Sequence, residues 1–577
     1  MKISKRLYLL FTALCLIGLA GCQNKPTNRE KENTMKDEDA ENVENITEEE
    51  NLIEEEKMTN EENQIKEDNM TNEEKHPAVE ENIKVVYEAT IENPESLFEK
   101  VELAKAFKAI GYHNPLISQR FGADPFAMVY NDRVFVYMTN DSQQLSYDSE
   151  GNATENTYGL IKTLNCISSD DLVNWTDHGT IKVGTPNGAT SWANNSWAPA
   201  ATHKIIDGKE QFFVYFANSG GGIGVLRGDS PVGPFKDPLG KALITKKTEN
   251  CSDVEWLFDP AVLLDDDGRA YLYFGGGVPK GLEEMPNTAR VVELGEDMIS
   301  LVGTPVVIEA PYLFEDSGIN KIGNTYYYTY CSNWDSRDNA VGPYVPEIAE
   351  IIYMTSDNPM GPWEYRGSIL KNPGTFFETW GNNHHSMINF KDKLYIFYHT
   401  QALQDDMGIK GGYRSTHVDE VTIKEDGSIK NVKASKFGVE QISKLNPYIV
   451  TEAETMAWMG GISVKMVKEP SSLYGEINSV VHEIQTGDWI GLSDVDFGGS
   501  APGTFTAKVA SEIAGNIIRI TVDKVDGECL GYLEVPNTES LEKYAEVTVN
   551  LSGVAGVHNL FFTFSGNGFL FDSWSFK

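Results

Sequence analysis

Five aromatic, strand-like runs recur along the chain, each entered through a polar or glycine-bearing turn, and this repetition restricts the fold more than any other feature. The runs are Val134 to Met138, Phe212 to Phe216, Ala270 to Phe274, Thr325 to Tyr330 and Leu394 to Tyr398. Their turns, Asn131-Asp132, Asp207-Gly208, Asp267-Gly268, Gly323-Asn324 and Lys391-Asp392, suit tight hairpins. Successive runs begin 78, 58, 55 and 69 residues apart, a spacing that fits four-stranded units with loops of varied length. The pattern predicts an all-β chain built on a five-bladed β-propeller. A second recurrent element, Ser168 to Trp175, Gly228 to Phe235 and Thr355 to Trp363, reads as a turn ending in an aromatic outer-strand anchor.

Seven to ten residues before each hairpin turn stand Asp124, Trp197, Asp259, Glu315 and the pair His384-His385. Equivalent positions in a propeller converge on one mouth of the central channel, so three carboxylates, an aromatic ring and two imidazoles are expected around one pocket. Burial and like-charge proximity raise carboxylate pKa values, which suits a general acid. Two carboxyls, one basic and one protonated, are the minimum for inverting glycoside hydrolysis. Asp before Pro is also a common turn former; three acids at equivalent repeat positions favour chemistry. His384-His385 can hold a cation or simply bond within the core, and Trp197 can stack on a sugar or pack a blade.

The ordered set Gly122-Ala123-Asp124-Pro125, Ser196-Trp197-Ala198-Pro199-Ala200, Trp256-Leu257-Phe258-Asp259-Pro260-Ala261, Phe314-Glu315-Asp316-Ser317-Gly318 and Gly381-Asn382-Asn383-His384-His385 resembles glycoside hydrolase family 43, specifically its arabinoxylan arabinofuranohydrolases. The likeness runs from about Asn114 to Leu445. It implies that Asp124 is the general base, Glu315 the general acid and Asp259 the group that tunes and orients the acid, in a single displacement with inversion that releases α-L-arabinofuranosyl side groups from arabinoxylan. Trp197, Phe258 and Arg414 are the implied substrate contacts. A central calcium site is also implied, with His384 as its histidine and His385 as second choice. The same fold and acids serve β-xylosidases and arabinanases, and a non-catalytic glycan-binding lipoprotein is the alternative from another class.

From Glu452-Ala453-Glu454 to Phe571-Asp572-Ser573-Trp574 the text changes to short alternating strands that resemble a family 6 carbohydrate-binding module, a jelly-roll β-sandwich. The resemblance implies a structural calcium held by Glu452, Glu454 and Asp572. Glu483 and Leu541 stand where such modules place sugar-clamping aromatics, with Asn567 left as a polar contact. Without stacking faces a sugar site loses most of its affinity, so a weak binding module and a purely structural domain are both open readings. Trp489 reads as core.

The N-terminus carries Lys2, Lys5 and Arg6, then the apolar run Leu7 to Leu19, then Ala20-Gly21-Cys22. This is the order of a signal peptide, and Leu19 to Cys22 resembles a bacterial lipobox, which implies lipidation of Cys22 and an exported, envelope-anchored protein. From Gln23 to Asn82 there are 21 Asp and Glu against 7 Lys and Arg and no Phe, Tyr or Trp, the composition of a disordered tether. The net charge of −38 argues against nucleic acid as a partner. Expected domains are therefore 1–22 signal, 23–85 tether, 86–445 propeller and 446–577 sandwich. Within 86–110, the apolar spacing from Pro94 to Ile110 predicts an amphipathic helix. Cys166, Cys251, Cys331 and Cys529 lack metal or redox spacing and read as free thiols.

Overall fold

Side-chain alternation dictates the layering. Phe212, Val214 and Phe216 pack with Phe135 and Tyr137, whereas Phe213 and Tyr215 pack with Leu272 and Phe274. Successive strand residues point to opposite faces, so a strand apolar on both faces lies between two layers.

The computed structural model describes residues 90–577 apart from Ser336 and Asp338; the signal sequence, Cys22 and the acidic tether lie outside these residues. Sheets follow in chain order. The first is β1 (Ala123–Tyr130), β2 (Arg133–Thr139), β3 (Thr163–Ser169) and β4 (Trp175–Lys182); the second is β5 (Trp197–Ile206), β6 (Lys209–Ala217) and β7 (Ile223–Gly228). The third is β8 (Ala261–Leu264), β9 (Ala270–Phe274), β10 (Ala289–Leu294) and β11 (Leu301–Ile308). The fourth is β12 (Leu313–Ile322), β13 (Thr325–Ser332), β14 (Ile351–Ser356) and β15 (Glu364–Leu370), and β16 (His385–Phe390), β17 (Lys393–Thr400) and β18 (Ser415–Val421) form the fifth. Every aromatic run predicted above falls in the second strand of its sheet. Apolar clusters join each sheet to the next and the fifth back to the first. The first strands β1, β5, β8, β12 and β16 meet in the same order around the axis.

The starts of these inner strands share a backbone device. Asp124, Ala198, Asp259 and Asp316 have φ of 50, 37, 49 and 72°, uncommon for residues other than glycine. Register shifts lie between Ala123 and Phe126, Trp197 and Ala200, and Glu315 and Gly318. Such bulges bend a strand and re-aim its side chains. This corrects the equivalence expected from counting back from the turns. Asp316, not Glu315, matches Asp124 and Asp259; Glu315 stands one residue earlier, with Trp197 and Phe258, because a count of seven to ten residues does not separate neighbouring positions, whereas seven back from Asn131 is Asp124 and seven back from Gly323 is Asp316.

The C-terminal region is a β-sandwich. One sheet orders Ser463–Val467, Asn478–His482, Leu570–Phe576, Thr504–Ala510 and Ala545–Asn550, with β19 (Thr451–Glu452) on Leu570–Phe576. The other orders Trp458–Gly460, Trp489–Asp496, Val557–Ser565, Asn516–Val522 and Glu528–Val535. β20 (Thr455–Met456) leaves the sandwich to pair with β4 as a fifth strand of the first sheet. The turn before Trp175 docks beside it: Asn174 Nδ2 donates to the Ser493 carbonyl at 3.0 Å and Ser493 N donates to Asn174 Oδ1 at 2.8 Å.

The helix expected over Pro94 to Ile110 does not form; a single 3-10 turn spans Pro94–Leu97. Its apolar residues go to different surfaces instead of one stripe. Phe98 packs on Tyr532, Leu103 and Ala106 pack on the Trp458, Trp489 and Phe561 cluster, and Phe107 packs on the Phe121, Leu403 and Tyr413 cluster. Ala104 N donates to the Gly487 carbonyl and Trp489 Nε1 to the Ala104 carbonyl, both at 2.9 Å. A Cβ on Gly487 would lie 2.2 Å from the Glu102 carbonyl, so this strap requires glycine there. Trp489 is core, 4% exposed. Cys166, Cys251 and Cys331 are buried and Cys529 half-buried, all with free thiols.

Candidate active site

Asp124 is buried where the first, second and fifth sheets meet. Arg414 Nη1 donates to its Oδ1 at 2.7 Å and Thr139 Oγ1 to its Oδ2 at 2.7 Å; Thr139 in turn accepts from Ala198 N at 2.8 Å. His399 Nε2 donates to the Asn382 carbonyl at 3.0 Å, leaving Nδ1 to accept the Asp124 backbone N–H at 3.0 Å. Arg414 is itself fixed by the fully buried Asp141, which accepts from Nε at 2.9 Å and Nη2 at 2.8 Å. Burial alone would raise the Asp124 carboxyl, but the Arg414 guanidinium, with His399 and His384, holds it well below the usual carboxylate range. It is ionised whenever the site is intact.

The other two carboxyls are driven the opposite way. Asp259 Oδ2 accepts the Asp316 backbone N–H at 2.9 Å, and burial followed by the charges of Asp124 and Asp316 pushes its carboxyl well up. Burial, then Asp259, Asp124 and Asp316, does the same to Glu315, whose Oε1 is buried with no hydrogen-bond partner. Apolar rings shape this side: Trp256 meets Phe258 at 5.3 Å and Phe314 at 5.4 Å, both edge-on. A protonated carboxyl with an unsatisfied oxygen beside such a wall is prepared to give its proton to an arriving oxygen.

His384 sits among the inner-strand aspartates, Nε2 at 3.1 Å from Asp316 and Nδ1 at 3.7 Å from both Asp124 and Asp259. His385 spends both ring nitrogens, Nδ1 on Asp316 at 2.5 Å and Nε2 on Thr329 Oγ1 at 2.8 Å. Among the described residues no three His, Cys, Asp or Glu side chains are drawn together as a metal site. His385 therefore does not fit a cation, and His384 offers one imidazole already close to Asp316.

The sandwich trio does not close into such a cluster either, but its three carboxyls are electrostatic neighbours. Glu452, Glu454 and Asp572 are buried, Glu454 Oε2 has no partner, and burial plus the neighbouring acids raises Glu452 to about 7 and Glu454 well above its usual range. Buried oxygen donors are the ligand type calcium takes, and Lys508 Nζ, 3.4 Å from Asp572 Oδ1, offsets part of their charge.

The structure thus brings Asp124, Asp259, Arg414, His384 and His385 into one network, with Glu315 electrostatically coupled to its acids. Trp197 is half-buried, donating Nε1 to the Tyr158 carbonyl at 3.1 Å, and Phe258 is 5% exposed. Glu452, Glu454 and Asp572 belong to the sandwich. Glu483 and Leu541 supply no aromatic face, and Leu541 packs against Val480, Ala510 and Leu570. Sequence reasoning missed Thr139, Asp141, Asp316 and His399. Thr139 and His399 stand near the far ends of β2 and β17, opposite the starts of β1 and β16 in the antiparallel register; counting forward from each hairpin turn as well as back would have found them.

A ring of sheets whose inner-strand starts hold one carboxyl ionised and another protonated is equipped for acid–base cleavage of a bond to oxygen. Residues 112–429 match the profile of Glycosyl hydrolases family 43, and residues 452–577 that of Carbohydrate binding module (family 6). The chain is 45% identical over 484 residues to the arabinoxylan arabinofuranohydrolase of Paenibacillus polymyxa, covering 81% of this chain and 75% of that one. It is 48% identical over 487 residues to the arabinoxylan arabinofuranohydrolase of Bacillus subtilis (strain 168), covering 81% and 93%. A crystal structure of a glycoside hydrolase family 43 arabinoxylan arabinofuranohydrolase from Bacillus subtilis in complex with cellotetraose aligns with TM-score 0.78 and 46% identity over 82% of this chain and 99% of that one. The chain belongs to glycoside hydrolase family 43.

Proposed function

We propose that this enzyme releases α-L-arabinofuranosyl side groups from arabinoxylan by a single displacement with inversion, on a five-bladed propeller spanning residues 86–445. The observation that carries the mechanism is the opposite electrostatic treatment of Asp124 and Glu315. Asp124, ionised beside Arg414, takes a proton from the attacking water. Glu315 protonates the departing glycosidic oxygen. Asp259, kept close by its bond from Asp316 N, adds to the rise of the Glu315 carboxyl when it is ionised and keeps that carboxyl oriented. Trp197 and Phe258 wall the sugar site. The substrate assignment is supported by the two arabinofuranohydrolase relatives, each aligned over most of its length. The test is incubation of residues 86–577 with wheat arabinoxylan, linear arabinan and xylooligosaccharides, with chromatography and early-time NMR of the released anomer. Arabinose from arabinoxylan alone, with inverted configuration and an intact backbone, is expected. Xylose or arabino-oligosaccharides would redirect the substrate, and retained configuration would overturn the single displacement.

Calcium is proposed in the sandwich (446–577), held by Glu452, Glu454 and Asp572, where it would neutralise three buried acids and stay remote from the reaction. Without it, Glu452 binds its proton more tightly when folded (about 7) than at its ordinary 4.5. Stability from this group is therefore full below about pH 4.5 and lost as pH rises through 7, roughly 3 kcal/mol at most. In a chelator the melting temperature should fall between pH 5 and 8; added calcium should raise it by several degrees and flatten that slope. Glu454→Gln should remove the calcium response, and a wild-type melting curve indifferent to both additions would overturn the site. Export and anchoring through a lipidated Cys22 are proposed from the Leu19-Ala20-Gly21-Cys22 pattern.

A further inference from the structure

Tyr158 lies in the loop between β2 and β3, and neither the acid–base chemistry nor the sugar contacts assigned above use it. Its backbone is left-handed, with φ of 60°, a conformation that is costly for a non-glycine residue and persists only where the surroundings impose it. The surroundings do so from both sides. Asn156 Oδ1 accepts the Tyr158 N–H at 3.1 Å, and Asn156 N is tied to the Gly411 carbonyl at 2.7 Å. Trp197 Nε1 donates to the Tyr158 carbonyl at 3.1 Å, and Asn195 Nδ2 adds a second donor at 3.4 Å.

The outcome of this fixing is a ring laid on the active site. The Arg414 guanidinium lies 4.8 Å from the Tyr158 ring centre, on the same side chain whose Nη1 binds Asp124. Trp197 meets the ring edge-on at 6.4 Å. Beside the hydroxyl stands Gly412, where an added Cβ would lie 4.0 Å from it, so no side chain at that position crowds the phenol. Among the described residues the Tyr158 hydroxyl makes no protein hydrogen bond, whereas Tyr137, Tyr215, Tyr273, Tyr330 and Tyr398, core tyrosines, all donate theirs. Burial raises the phenol's pKa against the pull of Arg414, and Asp141, Asp124 and Glu315 all add to the rise, so the ring is within electrostatic reach of both carboxyls of the reaction. It stays a neutral donor.

We infer that Tyr158 is a substrate-binding residue whose hydroxyl hydrogen-bonds a ring or exocyclic hydroxyl of the pentofuranosyl group in the pocket, with its ring and Trp197 forming one wall. This rests on the arabinofuranosidase reading above and adds a specificity contact to it. A site that hydrogen-bonds a sugar hydroxyl rejects the analogue lacking it, because a polar group is then left unpaired.

The test is Tyr158→Phe, which keeps the ring over Arg414 and removes only the hydroxyl. Wild type and variant are compared on an aryl α-L-arabinofuranoside and on its 2-, 3- and 5-deoxy analogues, with melting temperature and pH profile recorded alongside. The expected result is a roughly 10- to 100-fold fall in kcat/KM on the parent glycoside, with melting temperature and both limbs of the pH profile unchanged, and a penalty that disappears on one deoxy analogue. Undiminished activity of the variant, or an equal penalty on all four substrates, would overturn the contact. Failure of wild type itself to cleave any arabinofuranoside would instead overturn the underlying function, so the two failures are separable.

Discussion

Glu315→Gln is expected to lower kcat on arabinoxylan by roughly 10³- to 10⁴-fold, the upper part of the range for loss of a positioned proton donor. The same variant should retain most of its activity on a dinitrophenyl arabinofuranoside, whose leaving group departs without a proton. Both outcomes follow from the surroundings of the side chain. Its carboxyl is buried, carries an unpartnered oxygen, and is held protonated by desolvation and by Asp259, Asp124 and Asp316. The amide fills the same space but has no proton to transfer. The basic limb of the wild-type pH profile reports loss of that proton, so it should vanish in the variant. Equal losses on both substrates would remove Glu315 from the proton-donor role.

Arg414→Met has the largest expected effect on stability and a diagnostic effect on pH dependence. The guanidinium stands between two buried carboxylates, Asp124 and Asp141. Deleting one partner of a buried ionic cluster leaves charge uncompensated and costs about 3–5 kcal/mol, measurable by urea denaturation. The sign of the activity change follows from Asp124: with Arg414 present its carboxyl is depressed, so the base stays ionised down to low pH. Without the cation, burial is opposed only by His399 and His384, and the carboxyl rises. The acidic limb of kcat/KM should therefore move upward by a unit or more. Arg414→Lys should recover part of that shift, since a point charge remains, but not the forked contact with Asp141. An unmoved acidic limb in Arg414→Met would mean that another group sets the charge of Asp124.

How far the site could be read from the sequence depended on whether a residue's partner is local or distant. Hairpin turns such as Asp267-Gly268 and Gly323-Asn324 announce themselves through backbone chemistry, and the aromatic runs after them alternate visibly, so the inner strands and the acids at their starts were legible. Glu315 falls in the right neighbourhood but at the wrong equivalence, because a count of seven to ten residues back from a turn does not separate it from Asp316 beside it. Asp141 follows β2 as an ordinary polar loop residue; only the return of the chain at Arg414 gives it a role. Leu103 and Phe107 keep helical spacing while packing on separate clusters, and no local rule separates those cases.

The strand exchange at β20 also sets an order of assembly. The first sheet is begun by residues near 123 yet is completed by residues 455 and 456, and the strap around Ala104 has its partners at Gly487 and Trp489. Contacts of such sequence separation carry a large loop-closure cost and come late in folding. During synthesis the outer edge of β4 thus stays open until residues 455 and 456 have emerged, and an unpaired strand edge invites association with other chains. The sandwich emerges after the sheet whose edge its β20 covers, so a chain cut before Thr455 would expose the edge of β4 as well as lose the sandwich.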